Sequence, residues 1–221
     1  MLARLHDPIL VLVSLTGVVL LLKAVRWVHH VSGISPFVVR KVLHALIGAW
    51  TMLLTVLFVH RGWALVPPVI FTGLNVSPRL RAHLPQLAED ARTARGLWMF
   101  PLAVVLLYAF FWNGGDRGAV LAGCAALGLA DPAAALVGSK LGQRRYGRWG
   151  HGRSVEGSLA FLAVAGIACG WIAASSPAAS HALRVAVGCG VVGAVAEVVS
   201  PHGFDNLSVP LLVAAAYRIL A

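Results

Sequence analysis

Between Gly128 and Ser158 the chain reads GLADPAAALVGSKLGQRRYGRWGHGRSVEGS, which sets one carboxylate on each side of a loop dense in arginine and glycine. Asp131 stands beside Pro132 inside a long apolar run, and Glu156 stands where apolar sequence resumes. Carboxylates with no cysteine near them suit hard cations such as Mg²⁺ rather than zinc. Arg and Lys among glycines suit phosphate, which accepts from guanidinium forks and from exposed backbone N–H groups. Together they describe a metal–polyphosphate site of the kind a nucleoside triphosphate occupies. The segment Gly147 to Ser154, GRWGHGRS, has the spacing of a phosphate-binding P-loop, with Arg153 where that motif carries Lys. A true P-loop follows a buried strand in an α/β unit, whereas this segment follows an apolar helix, so that identity is rejected. Its local physics remains: Ser154 is expected to cap the next helix, whose N-terminus favours an anion. An ordinary solvated basic loop has the same composition, and this segment alone does not separate the two.

Further along the chain, Arg40 and Lys41 precede His44 by four and three residues, which puts all three on one helical face. Glu197 and the pair Asp205-Asn206 stand at the edges of later apolar runs. What brings these groups together must be a set of membrane helices. Of the 221 residues, 59% are hydrophobic and only 12% charged, with a mean hydropathy of +0.82, against roughly half apolar in a soluble domain. The expected fold is all-α, a polytopic integral membrane bundle forming one domain over 1–221. Eight apolar segments are read near 7–25, 42–60, 63–78, 97–113, 118–138, 155–174, 182–200 and 205–220, a span needing about 17–25 residues. The third is short and contains Pro67-Pro68, so it is expected to be kinked or re-entrant, and seven spans is the alternative. No small-residue cleavage site follows the first segment, so it is expected to be retained rather than cleaved as a signal peptide. Cys124, Cys169 and Cys189 fall inside spans at no metal-like spacing and are expected to be packed thiols.

The net charge of +10 marks no nucleic-acid partner here; in a membrane protein it reflects basic loops on the cytoplasmic side. Loops 23–41, 79–96 and 139–154 carry most of the Lys and Arg, while the alternate loops hold Arg61, Asp116 with Arg117, and no charge at 175–181. Eight spans with both termini outside put every basic loop in the cytoplasm. Asp131 then lies seven residues before Gly138, about 10 Å along a helix, in the cytoplasmic half of its span. Glu156, Glu197 and Asp205 reach the same face, beside Arg40, Lys41 and His44. Any one such acid commonly pairs with an Arg to hold helices together, but charges at that depth are costly and four on one face point to a site.

The stretches RKVLHALIG (40–48), DPAAALVGSKLG (131–142), GRSVEGSLAF (152–161) and DNLSVPL (205–211) resemble, in order, the CTP-dependent lipid kinases. That family comprises phytol and farnesol kinases, dolichol kinase and the yeast-type diacylglycerol kinase, and is related to the phosphatidate cytidylyltransferases. The resemblance implies a membrane enzyme that moves the γ-phosphate of CTP, with Mg²⁺, onto a lipid alcohol at the cytoplasmic face, here of a bacterial inner membrane. It implies that Asp131 and Asp205 hold the metal, and that Glu156 orients the metal or acts as base. Arg40, Lys41, Lys140 and Arg153 would neutralise phosphates. Gly138, Arg144, Arg145, Ser154, Gly157, Ser158, Asn206 and His44 would complete the nucleotide side. Two positions depart from the family pattern, Ala130 where Gly is usual and Arg153 where Lys is usual. A cytidylyltransferase acting on a lipid phosphate is the alternative, and an anion or metal transporter a more distant one. The small-residue spacings Gly166 to Gly170 and Gly190 to Gly193 leave a homo-oligomer open.

Overall fold

Gly33, at φ 64°, turns the chain out of its first helix, α1 (Leu2–Ser32), by donating its N–H to the His29 carbonyl. Ser35 then accepts from the Val38 N–H and Pro36 occupies the first turn, which starts α2 (Pro36–Leu57) several residues earlier than the apolar run alone indicates. The computed structural model describes residues 2–77, 79, 91–114, 116–146, 153–201 and 203–221. Most of loop 79–96, the segment 147–152, and His83, His151 and His202 lie outside them. After α2 come α3 (Arg61–Val76) and α4 (Ala91–Phe111). A broken helix follows: α5 (Gly118–Ala125), a π-helical turn (Ala126–Ala130) and α6 (Asp131–Leu141). A short antiparallel pair, β1 (Arg145–Tyr146) with β2 (Arg153–Ser154), pairs Arg145 with Ser154 and Tyr146 with Arg153. The chain closes with α7 (Val155–Ala174), a 3₁₀ turn (Ala179–His181), α8 (Ala182–Val199) and α9 (Asp205–Leu220).

Among the described residues, five helical stretches are long and apolar enough to cross a membrane: His6–Ser32, Pro36–Leu57, Gly118–Leu141, Val155–Ala174 and Ala179–Val199. The apolar part of α4, Arg95–Phe111, is shorter, and α3 and α9 have 16 residues each. At 1.5 Å per residue such a helix is about 24 Å long, less than the ~30 Å of hydrocarbon. The third segment is one continuous helix through Pro67 and Pro68 rather than a re-entrant turn. One departure from all-α is the β1–β2 pair, which closes the cationic loop at its base.

Small residues set how closely these helices pack. A Cβ on Gly170 would stand 2.8 Å from the Ala186 side chain, and one on Gly190 2.9 Å from the Leu162 carbonyl, so α7 and α8 meet backbone to backbone. The glycine spacings that left an oligomer open are thus used inside the chain. A Cβ on Gly48 would run into the Gly128 backbone, which presses α2 onto the π turn. That turn and α5 are the most enclosed elements, with Val120, Ala122, Ala125, Ala126 and Ala130 fully buried. The three cysteines are buried free thiols, as their positions within apolar runs predict. Around the broken helix, α2, α1, α3, α4 and α9 pack each on the next, and α2 and α9 both return to it. The result is a ring of helices around an interior space.

The end of the ring at the α2–α3 turn is braced by polar groups. Asp7 accepts the backbone N–H groups of Val59 and His60, each at 3.0 Å, and its carboxylate lies 2.7 Å from His60 Nδ1. Arg117 donates to the Thr55 and Val56 carbonyls at 2.7 Å and stacks 4.5 Å above the Trp112 ring. Thr55 and Tyr108 share a buried hydroxyl–hydroxyl hydrogen bond of 2.8 Å.

Candidate functional site

At the opposite end of the ring, three elements present carboxylates to one space. Asp131 heads α6 directly behind the π turn, and Pro132, inside the same continuous helical run, lacks the N–H that would bond back to the preceding turn. Lys41, on α2, donates from Nζ to Asp131 Oδ2 at 2.8 Å, and His44 Nε2 lies 3.9 Å from the same oxygen. Phe100 of α4 meets the His44 ring edge to face at 4.6 Å. Arg153, on β2, spans two further carboxylates, with Nε 3.4 Å from Glu197 Oε1 and an Nη 3.3 Å from Asp205 Oδ2. Its other Nη donates to the Val198 carbonyl at 2.9 Å. Asp205 turns its second oxygen to its neighbour's backbone, accepting the Asn206 N–H at 2.9 Å. The Asn206 amide reaches the Gly96 carbonyl at 3.5 Å, which ties α9 to α4.

The helix start behind the loop follows from local sequence. Ser154 is the N-cap of α7 and accepts the Gly157 N–H at 3.0 Å. Gly138 and Gly157 let α6 and α7 close over that cap, since a Cβ at Gly138 would meet Ser154 Oγ at 3.0 Å and one at Gly157 the Ala134 carbonyl at 2.9 Å. Ser158 donates to Glu197 Oε2 at 3.2 Å and shares a short hydrogen bond with the Tyr146 hydroxyl.

These groups line one end of a cavity of about 710 Å³. Nearly every residue expected at the site faces it: Arg40, Lys41, His44, Asp131, Gly138, Arg145, Arg153, Ser154, Gly157, Ser158, Asp205 and Asn206. The exceptions are Lys140, Arg144 and Glu156, which are not on its wall. Glu156 accepts the Arg144 N–H at 3.4 Å and so holds the base of the cationic loop, while its Oε2 is buried without a partner. Its place on the wall is taken by Glu197. Sequence reasoning put Glu197 on the right face but left it out of the site, because no motif contains it.

Among the described residues, the wall carries four fixed cations, Arg40, Lys41, Arg145 and Arg153, against three carboxylates, Asp131, Glu197 and Asp205. That balance suits a polyanion bound with a divalent ion. Among the described residues, no group of three or more His, Cys, Asp or Glu could hold a metal. One or two carboxylates of this wall, with water and substrate phosphates, would be the kind of ligand set that a hard cation such as Mg²⁺ takes. Asp131 and Asp205 are each paired with a cation, Lys41 and Arg153 respectively.

Beyond the charged end the wall is largely apolar, formed by Ile47 and Leu54 of α2, Phe58 just past its end, Pro67 and Phe71 of α3, and Val104 of α4, with Thr51 and Asn75 among them. The chain is 30% identical over 177 residues to the phytol kinase of Synechocystis sp., an alignment covering 79% of this chain and 75% of that protein. No family model and no solved structure matches the chain.

Proposed function

The chain belongs to the phytol kinase family, and from that premise we propose that it phosphorylates an isoprenoid alcohol with CTP as donor. The observation that carries this reading is a single cavity whose charged end, holding Asp131, Asp205, Lys41 and Arg153, continues into an apolar end. A nucleotide triphosphate matches the first and a lipid tail the second. In the transfer, the alcohol oxygen forms a bond to the γ-phosphorus as the bond from that phosphorus to the β–γ bridging oxygen breaks. CDP leaves with that electron pair, and the hydroxyl proton passes to water at the polar end.

Asp131 and Asp205 are the carboxylates proposed to hold Mg²⁺, which when bound would neutralise charge on the β- and γ-phosphates. Lys41 and Arg153 give up their ion pairs to phosphate oxygens, while Arg40 and Arg145 bind from the mouth. Glu197 keeps Arg153 aimed when the guanidinium turns to phosphate. Ser154 and Gly157 offer the N-terminus of α7 to the anion. Phosphoryl transfer depends on such positioning and charge matching, so a dedicated strong base is not required. Glu156 serves the loop, and a metal or base role for it receives no support from its place off the wall.

We further propose that α3, α4 and α9 cross with the five long helices to make eight spans with both termini outside. The charged end then faces the cytoplasm of a bacterial inner membrane, as the basic loops favour. The test is purified protein in detergent with labelled CTP or ATP and a panel of lipid alcohols. CDP with a lipid monophosphate supports the kinase. Pyrophosphate, with consumption of a lipid phosphate, would instead make the protein a cytidylyltransferase.

A further inference from the structure

Arg153 reaches the cavity from an element too small to hold it. The β1–β2 pair has two residues in each strand, and an isolated hairpin is marginal even when longer. Its base is fastened at Arg144, whose carbonyl accepts the Val155 N–H at 3.0 Å and whose own N–H goes to Glu156. Its other anchor is Tyr146, which stands opposite Arg153 in the ladder. From Tyr146 a line of hydrogen bonds runs back to Arg153 through two helices. Ser158 of α7 bonds the Tyr146 hydroxyl and donates to Glu197 Oε2 of α8 at 3.2 Å, and Glu197 Oε1 lies 3.4 Å from Arg153 Nε. Tyr146 and Arg153 are thus joined twice, once through the backbone ladder and once through side chains, and the two routes close a ring.

Proton counting fixes the direction of that ring. Ser158 has one hydroxyl proton, and it is committed to Glu197. The bond between Ser158 and Tyr146 therefore uses the phenolic proton, with Tyr146 donating. Both oxygens of Glu197 are then engaged, one by Ser158 and one by Arg153. On the guanidinium, Nε faces Glu197 and one Nη donates to the Val198 carbonyl at 2.9 Å, both on α8; the other Nη meets Asp205 of α9 at 3.3 Å. Exchanging Asp205 for phosphate leaves the two α8 contacts in place, and these set the plane of the rigid fork. The Val198 carbonyl is fixed by the backbone of α8. Glu197 is a side chain, and what fixes it is the bond to its second oxygen, from Ser158 with Tyr146 behind. Tyr146 is not itself on the cavity wall, so it acts through Arg153 and not on the ligand.

Resting on the kinase reading for the ligand's phosphates, we infer that Tyr146 is a positioning residue of the phosphate site. Its hydroxyl, through Ser158 and Glu197, holds the Arg153 guanidinium in the plane that meets the triphosphate.

The experiment compares Tyr146→Phe, which keeps the aromatic ring and deletes the donor, with Ser158→Ala and Arg153→Lys in two assays. The first is the rise in unfolding temperature of the detergent-solubilised protein with Mg²⁺ and inorganic triphosphate, titrated to give an affinity. The second is kcat/KM for CTP with an isoprenoid alcohol. Tyr146→Phe lowers both the affinity and kcat/KM about tenfold, or about 1.4 kcal/mol, the order of one hydrogen bond into a charged network. Ser158→Ala does the same, and the double variant loses no more than either, because both cut one chain. In an Arg153→Lys background Tyr146→Phe has no further effect, since an ammonium has no plane to set. A hydroxyl with a structural role alone lowers the unfolding temperature without ligand in either background and leaves triphosphate affinity unchanged. Wild-type affinity and kcat/KM in Tyr146→Phe overturn the inference, as does a tenfold loss that persists in full in the Arg153→Lys background. Weakened triphosphate binding by Tyr146→Phe, with no phosphorylation of any alcohol by the wild type, leaves the positioning role standing and removes the kinase reading. Phosphorylation by the wild type and by Tyr146→Phe at equal rates does the reverse.

Discussion

Arg153 is the side chain on which the charged end turns, and its replacement tests the site most directly. It pairs with Glu197 and Asp205 at once, with side-chain exposures of 10%, 12% and 21% for the three residues. Arg153→Met removes the cation and keeps most of the volume. Stranding a buried charge costs about 3–5 kcal/mol, and two carboxylates lose their partner here. Because Asp205 keeps some contact with solvent, the lower end applies, about 3 kcal/mol. For a chain of this size that is a fall of roughly 6–12 °C in unfolding temperature. Adding Glu197→Gln to Arg153→Met removes one stranded charge and should return about 1–2 kcal/mol of stability, while restoring no activity. Arg153→Lys keeps a charge but cannot bridge two carboxylates with one ammonium. It should cost about 1 kcal/mol and leave turnover within about tenfold of wild type. The assays are thermal unfolding in detergent and labelled-CTP turnover with an isoprenoid alcohol. If Arg153→Met unfolds within 2 °C of wild type and turns over within about tenfold, a drop of 1.4 kcal/mol or less, the bridge supports neither fold nor chemistry.

Asp131→Asn should leave the protein folded and lower turnover by about a hundredfold or more, near 2.7 kcal/mol of transition-state stabilisation; near-normal rates at moderate Mg²⁺ would remove Asp131 from the metal site. Lys41→Ala should lower kcat more than it raises KM for nucleotide, since Arg40, Arg145 and Arg153 still hold the triphosphate, and steady-state kinetics over nucleotide concentration separate the two. Thr55→Val strips the partner from the Tyr108 hydroxyl and should cost about 1–3 kcal/mol in thermal unfolding with little change in kcat. A single cysteine at position 143, in a chain lacking the native thiols, should resist impermeant labelling in intact cells and react in inverted vesicles; strong labelling in intact cells would put the charged end on the wrong side.

What could be read from the chain alone is what depends on neighbours in sequence. Hydropathy sums over consecutive residues, so the apolar helices and the membrane setting are written in composition. The Ser154 cap is legible because it joins residues three apart, and Lys41 and His44 share a face because helical periodicity puts them there. The motifs carry Asp131, Arg153 and Asp205 as separate residues. What no local pattern holds is the rotation of one helix against another. Glu156 and Glu197 both stand at the cytoplasm-proposed ends of apolar helices, yet only Glu197 lines the cavity, because contacts at Gly166, Gly170 and Gly190 decide how α8 sits on α7. The π turn before Asp131 is likewise placed against α2 by a contact between Gly48 and Gly128, residues eighty apart in sequence. The apolar wall of the cavity draws Phe58 from just past α2, Ala64 from α3 and Tyr108 from α4, and the polar brace draws Asp7 and Arg117 from two more segments of the chain. Segment by segment, the sequence determines which residues enter the membrane and which carry charge. Only close packing between distant helices determines which of those charges share a cavity, and where that cavity ends.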